Sequence, residues 1–414
     1  MTRLFPRFRI VLSLALRNML RNKRRTSITL TSVVLGVGST FILAGIARGM
    51  AQQLIHDSVY TLTGHVKIQH PRSLDDPSVE YTVSAPPALL ARVNAIKGTK
   101  AVLPRLRVSS VIQSEREAAP VSLIGISPRL EEGVSLAGSP SSKGRLLHDP
   151  KDSGIVLGES ILPSLKSELQ RRIVILTQDL EGEVASRGFR IIGTYRAEVR
   201  NTEKQFAFTG IESLRTLLGT PDHEYHEISL VLENENLIPP VIGELQRLFP
   251  EAEVTSWEEL QPLVVSMTKL QSGFLIIWFV IVVISVSFGT INALLMSIFE
   301  RVREIAIMNS LGMNRRWIIA ETILQAFFLL LIGGLLGLLL GVIFLYGYID
   351  DGINVAQFAE GTSIVGVGDR IYPVFYARDA LTILGLLTGL GTLGCIYPAW
   401  LAARIRPDIA LKTF

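Results

Sequence analysis

Four stretches of this chain contain no Asp, Glu, Lys or Arg: residues 26–47, 270–299, 322–349 and 380–403. Each exceeds the roughly 20 residues an α-helix needs to cross a hydrocarbon core of about 30 Å. They predict an integral membrane protein with four transmembrane helices, consistent with a hydrophobic content of 48% over 414 residues. A cleaved signal peptide is the rival reading of the first stretch, since Gly45-Ile46-Ala47 is a small-x-small triplet. Against it, the apolar run is longer than the roughly 7–15 residues of a signal h-region, and 25 basic-rich residues precede it.

The charges that remain are sorted by side. Residues 1–25 hold eight Lys and Arg and no acid, 300–316 hold four against two acids, and 404–414 hold three against one. Residues 51–269 hold 23 against 28 acids. The positive-inside bias therefore places both termini and the 300–316 loop in the cytoplasm. The acidic 51–269 domain and the 350–379 loop fall outside it. The expected order is an interfacial helix (1–25), span 1 (26–50), the exported domain (51–269), a stalk and span 2 (270–299), a charged connector (300–316), span 3 (317–349), an outer loop (350–379), span 4 (380–403) and a cytoplasmic tail (404–414). The chain is thus expected to cross the membrane several times, with both termini on one side and the large domain on the other.

In residues 6–25, Arg9, Ser13, Arg17 and Arg21 recur every fourth position beside an otherwise apolar surface, as in a helix lying at the headgroups. A simple basic topogenic tail is the alternative. Ser32, Gly36, Thr40 and Ala44 in span 1, and Gly333, Gly337 and Gly341 in span 3, form small-residue stripes at i+4 spacing. Such stripes allow close helix approach where lipid supplies no hydrophobic drive. For span 3, packing within the bundle is the expectation. For span 1, a contact with a second subunit stays equally open. Trp278 marks the outer interface of span 2, with 270–277 projecting beyond it.

The exported domain alternates strand-like and helix-like stretches. Strands are expected at 65–69, 101–113, 120–126, 155–158, 171–177, 188–196, 226–233 and 251–257, and helices at 86–96, 212–218 and 237–249. Residues 127–154 read as a loose surface connection. The fold class is thus a four-helix membrane bundle carrying a large, two-lobed α+β domain between spans 1 and 2, the lobes meeting near residue 128.

Catalytic signatures are missing. No GxxxxGK[ST], GxSxG or HExxH occurs, and the one cysteine, Cys395, lies in span 4. His223 and His226 are the only clustered histidines; without further ligands at suitable positions they read as surface loop residues rather than a metal site. The composition points to a mover or a transmitter, not a catalyst. Nothing suggests nucleic acid as a partner.

The connector itself, ERVREIAIMNSLGMNRRW (300–317), is charged at its ends and apolar in its middle. On a helix, Val302, Ile305, Ala306, Met308 and Leu311 can share one surface, while Glu300, Arg303 and Glu304 group on another. Gly312 suits a helix C-terminus, and Arg315-Arg316-Trp317 anchors the next span. Periodicity alone leaves two readings open: a plain charged turn, or a short helix that passes a push from a cytoplasmic partner to the spans.

The run E-R-x-R-E-I-A-I-x-x-x-L-G in this segment resembles the coupling segment of MacB/FtsX-type ABC transporter permeases. The tail YPAWLAARIRPDIALK (397–412), the entry LALRNMLRNKRRTSITLTSVVLGVG (14–38) and the junction TSWEELQP (255–262) are similar to the same superfamily's motifs. Within it the likeness is nearest to the lipoprotein-releasing (Lol-type, LolC/LolE-like) permeases. Two positions depart: Asn309, where a basic residue is common, and LPSLKSELQRR (162–172), where relatives carry L-G-x-x-x-G-D.

The resemblance implies a permease subunit working as a homodimer or with a paralogue, bound to two cytoplasmic ATPase subunits. ATP and Mg would belong to the ATPases, with no cofactor on this chain. Glu300, Arg303, Glu304, Ile305, Met308, Leu311 and Gly312 would carry the coupling. Three functions compete: release of lipoproteins to a periplasmic carrier, MacB-like efflux of peptides or amphiphiles through an adaptor, and FtsX-like signalling to a cell-wall hydrolase. The size of the exported domain argues against the last.

Overall fold

The computed structural model describes residues 13–15, 17–19, 21–74, 78–139, 142–197, 200–310, 313–355 and 370–404. The chain divides into two compact units, one of residues 1–51, 268–353 and 371–414, the other of residues 52–267 and 354–370.

The first unit holds the parts of four helices long and apolar enough to cross a membrane. Span 1 belongs to the helix Lys23–Ser58, span 2 to Pro262–Glu300 and span 3 to Arg315–Tyr346. Span 4 runs as Ala377–Gly394 and Ile396–Ala403, broken at Cys395. Pro398 has no N–H to donate to the Gly394 carbonyl, the usual cause of such a break. Span 3 opens on Asn314, whose side chain accepts from the Arg316 N–H at 3.1 Å as an N-cap.

Glycines set how closely these helices meet. A Cβ on Gly337 would stand 2.8 Å from both the Val34 carbonyl oxygen and the Val37 Cβ. On Gly333 it would stand 2.7 Å from Val33, and on Gly341 2.8 Å from Phe41. The span 3 stripe is therefore buried against span 1, inside the bundle. The span 1 stripe turns to span 2: a Cβ on Gly36 would lie 2.9 Å from Val286, and Thr40 and Ala44 are buried. Ser32, at the end of that stripe, stays exposed.

The second unit is built on one ten-stranded mixed sheet: β1 (Val66–Gln69), β2 (Thr99–Gln113), β3 (Ala118–Ile126), β4 (Lys143–Gly144), β5 (Gly154–Gly158), β6 (Arg172–Gln178), β7 (Val184–Tyr195), β8 (Phe206–Gly210), β9 (Glu227–Leu232) and β10 (Glu253–Ser256). Its order is β10-β1-β9-β2-β3-β8-β5-β7-β4, and β6 pairs with both β2 and β7. Strands β2, β3, β8, β5, β7 and β6 thereby close into a ring. Register partners such as Leu123 with Ala207, Ile112 with Ile175, and Ile173 with Phe189 are fully buried together.

Long β2 serves two groups of strands. Residues up to Arg105 pair with β9, and from Leu106 onward with β3. The two lobes thus meet along β2, at Arg105–Leu106, and not near residue 128. Three further expectations need correction. Strand β8 carries no alternating pattern long enough to have been read. Residues 127–154 are not a loose connection, because Leu136, Leu146 and Leu147 close over Ile124, Ile126, Val156 and Phe208. His226 is buried and not a surface residue: its Nε2 is 3.0 Å from the Val79 carbonyl oxygen, while Nδ1 accepts the Arg107 N–H at 3.3 Å. His223 is exposed, at φ +65°.

Arg105 shows what holds the junction. It is completely buried and grips Glu131 with two parallel hydrogen bonds, Nε to Oε1 at 2.7 Å and Nη2 to Oε2 at 2.8 Å. Its remaining Nη1 donates to the Leu62 carbonyl and, at 3.4 Å, to Ser229 Oγ.

Candidate functional site: the connector between spans 2 and 3

The connector forms a short helix, Val302–Ser310, after span 2 ends at Glu300. Ile305 and Ala306 are buried. Ile305 packs with Ile298 of span 2, Ile318 of span 3 and Ala402 of span 4, with Met308 partly buried on the same cluster. The surface that could have faced a partner therefore faces the ends of the chain's own spans. Arg303, Glu304, Ile307 and Ser310 are the exposed side chains. Leu311 and Gly312 lie outside the described residues, as do residues 6–12 of the N-terminal segment and Pro407, Ala410 and Leu411 of the tail motif.

Charge ties this helix to the N-terminal segment. Arg21 Nη1 is 2.6 Å from Glu304 Oε1, and Arg25 Nη1 is 2.7 Å from Glu300 Oε2. Arg301 reaches Glu304 Oε2 at 3.0 Å through Nε and Glu321 Oε1 at 3.4 Å through Nη1. Asn18 Nδ2 donates to the same Glu321 oxygen at 2.7 Å. Three elements, the N-terminal segment, the connector and the start of span 3, thus share one polar joint. Burial works to raise the Glu304 carboxyl's pKa, but the guanidinium groups of Arg21 and Arg301 outweigh it and hold it below the usual carboxylate range.

Sequence reasoning grouped Glu300, Arg303 and Glu304 with local pairing at i,i+3, whereas Glu300 bonds Arg25 and Glu304 bonds Arg21 and Arg301. Arg301, Arg21, Arg25 and Asn18 complete the joint; their signal was a basic N-terminal segment without acids, expected on the same side as the acidic Glu300 and Glu304. Glu321, in the second turn of the span 3 helix, is buried and satisfied by Arg301 and Asn18.

At the other end of the bundle, Arg48 of span 1 grips Asp379 of span 4 through Nε to Oδ2 at 2.9 Å and Nη2 to Oδ1 at 3.1 Å. It also donates to Ser272 of span 2 at 3.0 Å.

A four-helix bundle with a large α+β domain between its first two spans, and a helix wedged between spans 2 and 3, describes a permease subunit. The family comparisons agree: the MacB-like periplasmic core domain matches residues 26–248, more than half of the chain, and the FtsX-like permease C-terminal domain matches residues 276–407. The chain belongs to the MacB/FtsX superfamily of ABC transporter permeases. It is similar to the lipoprotein-releasing system transmembrane protein LolC of Neisseria meningitidis, 23% identical with 94% of each chain covered. It is also similar to the macrolide export ATP-binding/permease protein MacB of Escherichia coli, 24% identical over 99% of this chain but only 62% of the relative's length. Among solved structures, the periplasmic region of MacB from Actinobacillus actinomycetemcomitans is 14% identical, with 48% of this chain and 91% of that one covered and a TM-score of 0.35.

Proposed function

We propose that this chain is a permease subunit that releases lipoproteins from the inner membrane towards a periplasmic carrier by mechanotransmission. Two cytoplasmic ATPase subunits, supplying ATP and Mg, would press on the connector of this chain and of a second copy or paralogue. The observation that carries the reading is the polar joint at the connector. A helix bonded to both the N-terminal segment and span 3, and packed on spans 2 and 4, is placed to pass a push on to each of them. Arg303 and Ile307, exposed on this helix, are the side chains offered to the ATPase, in place of the inward Ile305 and Met308. Lipid-anchored cargo would enter laterally between spans 1 and 2, near the grip of Arg48 on Asp379.

End-to-end coverage of a lipoprotein-releasing relative supports this cargo over others. The match of residues 26–248 to the MacB-like core favours a second reading, efflux of peptides or amphiphiles. The test is reconstitution of the chain and its ATPase in proteoliposomes bearing a fluorescent triacylated lipoprotein. ATP should transfer the label to a soluble carrier, and Ile307→Asp should abolish both transfer and stimulation of the ATPase. Transfer without ATP, or ATP-driven export of a soluble amphiphile with no lipoprotein release, would overturn the first reading.

A further inference from the structure

We propose that a polar cavity in the α+β domain is a binding site for a small ligand bearing an oxyanion, a carboxylate or a phosphate. The cavity has a volume of about 240 Å³. Neighbouring strands β1, β9 and β2 bring Lys67, Glu227 and Arg107 to its wall.

The charges on that wall do not cancel. Lys67 Nζ sits 2.7 Å from Glu227 Oε2, and Arg107 Nη1 sits 3.7 Å from the same oxygen. Burial tends to raise the Glu227 pKa, but Lys67, Arg107 and Arg105 outweigh it and bring the carboxyl to about 2, so it is ionised. His226 adds no charge, because burial lowers its pKa and its two nitrogens serve Val79 and Arg107. Burial lowers the Lys67 pKa and the Glu227 carboxylate beside it opposes that shift; with Lys67 held as a cation by this pair, two cations face one carboxylate among the described residues. Deeper in, Arg105 also stands 3.7 Å from Glu227 Oε1, and its charge is met by Glu131.

Hydrogen-bonding capacity is also left over. Ser73 borders the cavity, and its buried hydroxyl, like Glu227 Oε1, has no hydrogen-bond partner among the described residues. Arg107 is positioned from behind, by Ser122 Oγ at 3.0 Å and the Phe206 ring at 5.6 Å, yet its side chain keeps 40% exposure. A buried Lys–Glu pair contributes little to stability that apolar side chains would not match. Placed beside an open, donor-rich space with a surplus positive charge, it suits recognition of an anion. This site shares no residue with the connector and does not depend on the identity of the cargo.

Equilibrium dialysis of the full-length chain in detergent, with radiolabelled inorganic phosphate and succinate as separate probes, tests the assignment. Saturable binding of at least one probe is expected, and the probe bound tells a phosphate site from a carboxylate site. Arg107→Ala should weaken it about ten- to a hundredfold, the worth of a lost charge-assisted hydrogen bond. Lys166→Ala, elsewhere in the same domain, should leave it unchanged. If Arg107→Ala lowers the unfolding temperature, Arg107→Lys, which keeps the charge and loses the guanidinium fork, should still weaken binding. No saturable binding of either probe up to about 10 mM would overturn the proposal. Affinity unchanged in a folded Arg107 variant would overturn it equally.

Discussion

The seam between spans 1 and 3 and the joint at the connector hold neighbouring helices by opposite means. At the seam, Gly333, Gly337 and Gly341 receive Val33, Val37 and Phe41, and no charge takes part. At the joint, Arg21, Arg25 and Arg301 reach Glu304, Glu300 and Glu321, and much of the contact is exposed. Shape complementarity is short-ranged and indifferent to salt or pH. Exposed ion pairs are individually weak and screened. The bundle is therefore built to keep its register, while the joint can be loosened and remade at little cost.

The sharpest way to break this contrast is at the seam. Gly337→Ile would drive a side chain into the Val34 carbonyl and Val37, and should destabilise the bundle by about 3 kcal/mol or more. The check is the unfolding midpoint in detergent. Next comes Arg48→Ala, which strands the nearly buried Asp379 carboxylate and should cost about 2–3 kcal/mol. Recovery in an Arg48→Asp, Asp379→Arg exchange would show that charge can also hold the bundle, narrowing the contrast.

Arg21→Ala should cost no more than about 1 kcal/mol, an effect that vanishes at high ionic strength as the screening length falls from about 10 Å at 0.1 M to about 3 Å at 1 M. Spin-label distances between the N-terminal segment and the connector would report it, and an effect undiminished by salt would count against a screened joint. Smallest is the response to acid. Because the Glu304 pKa is depressed in the folded chain, its contribution is present above the unfolded value near ~4.3 and fades as pH falls through the folded one. The same spin-label distance should lengthen only below about pH 4.3, with the seam unaffected.

Much of this architecture is written in the sequence because hydrocarbon admits so few charges. The four spans follow from the placement of Asp, Glu, Lys and Arg, and most strands from alternating apolar residues. What periodicity cannot supply is the partner. It groups Val302, Ile305, Ala306 and Met308 on one side of a helix, without saying whether that side meets another protein or the chain's own spans. Likewise Arg105, in the middle of strand β2, and Glu131, in what reads as a loop, give no sign of one another. They are 26 residues apart, and only the fold joins them.

The loop before β6 carries its own consequence. Lys166 and Gln170 adopt φ +48° and +68°, the left-handed region, four residues apart like the glycines of the L-G-x-x-x-G-D segment this stretch replaces. Each non-glycine residue held there costs roughly 1–2 kcal/mol. In return, Lys166 reaches Glu117 at 2.7 Å, a contact glycine has no atoms to make. A backbone shape that glycine adopts freely is here imposed on residues with side chains. The loop thus exchanges conformational ease for a chemical surface of its own.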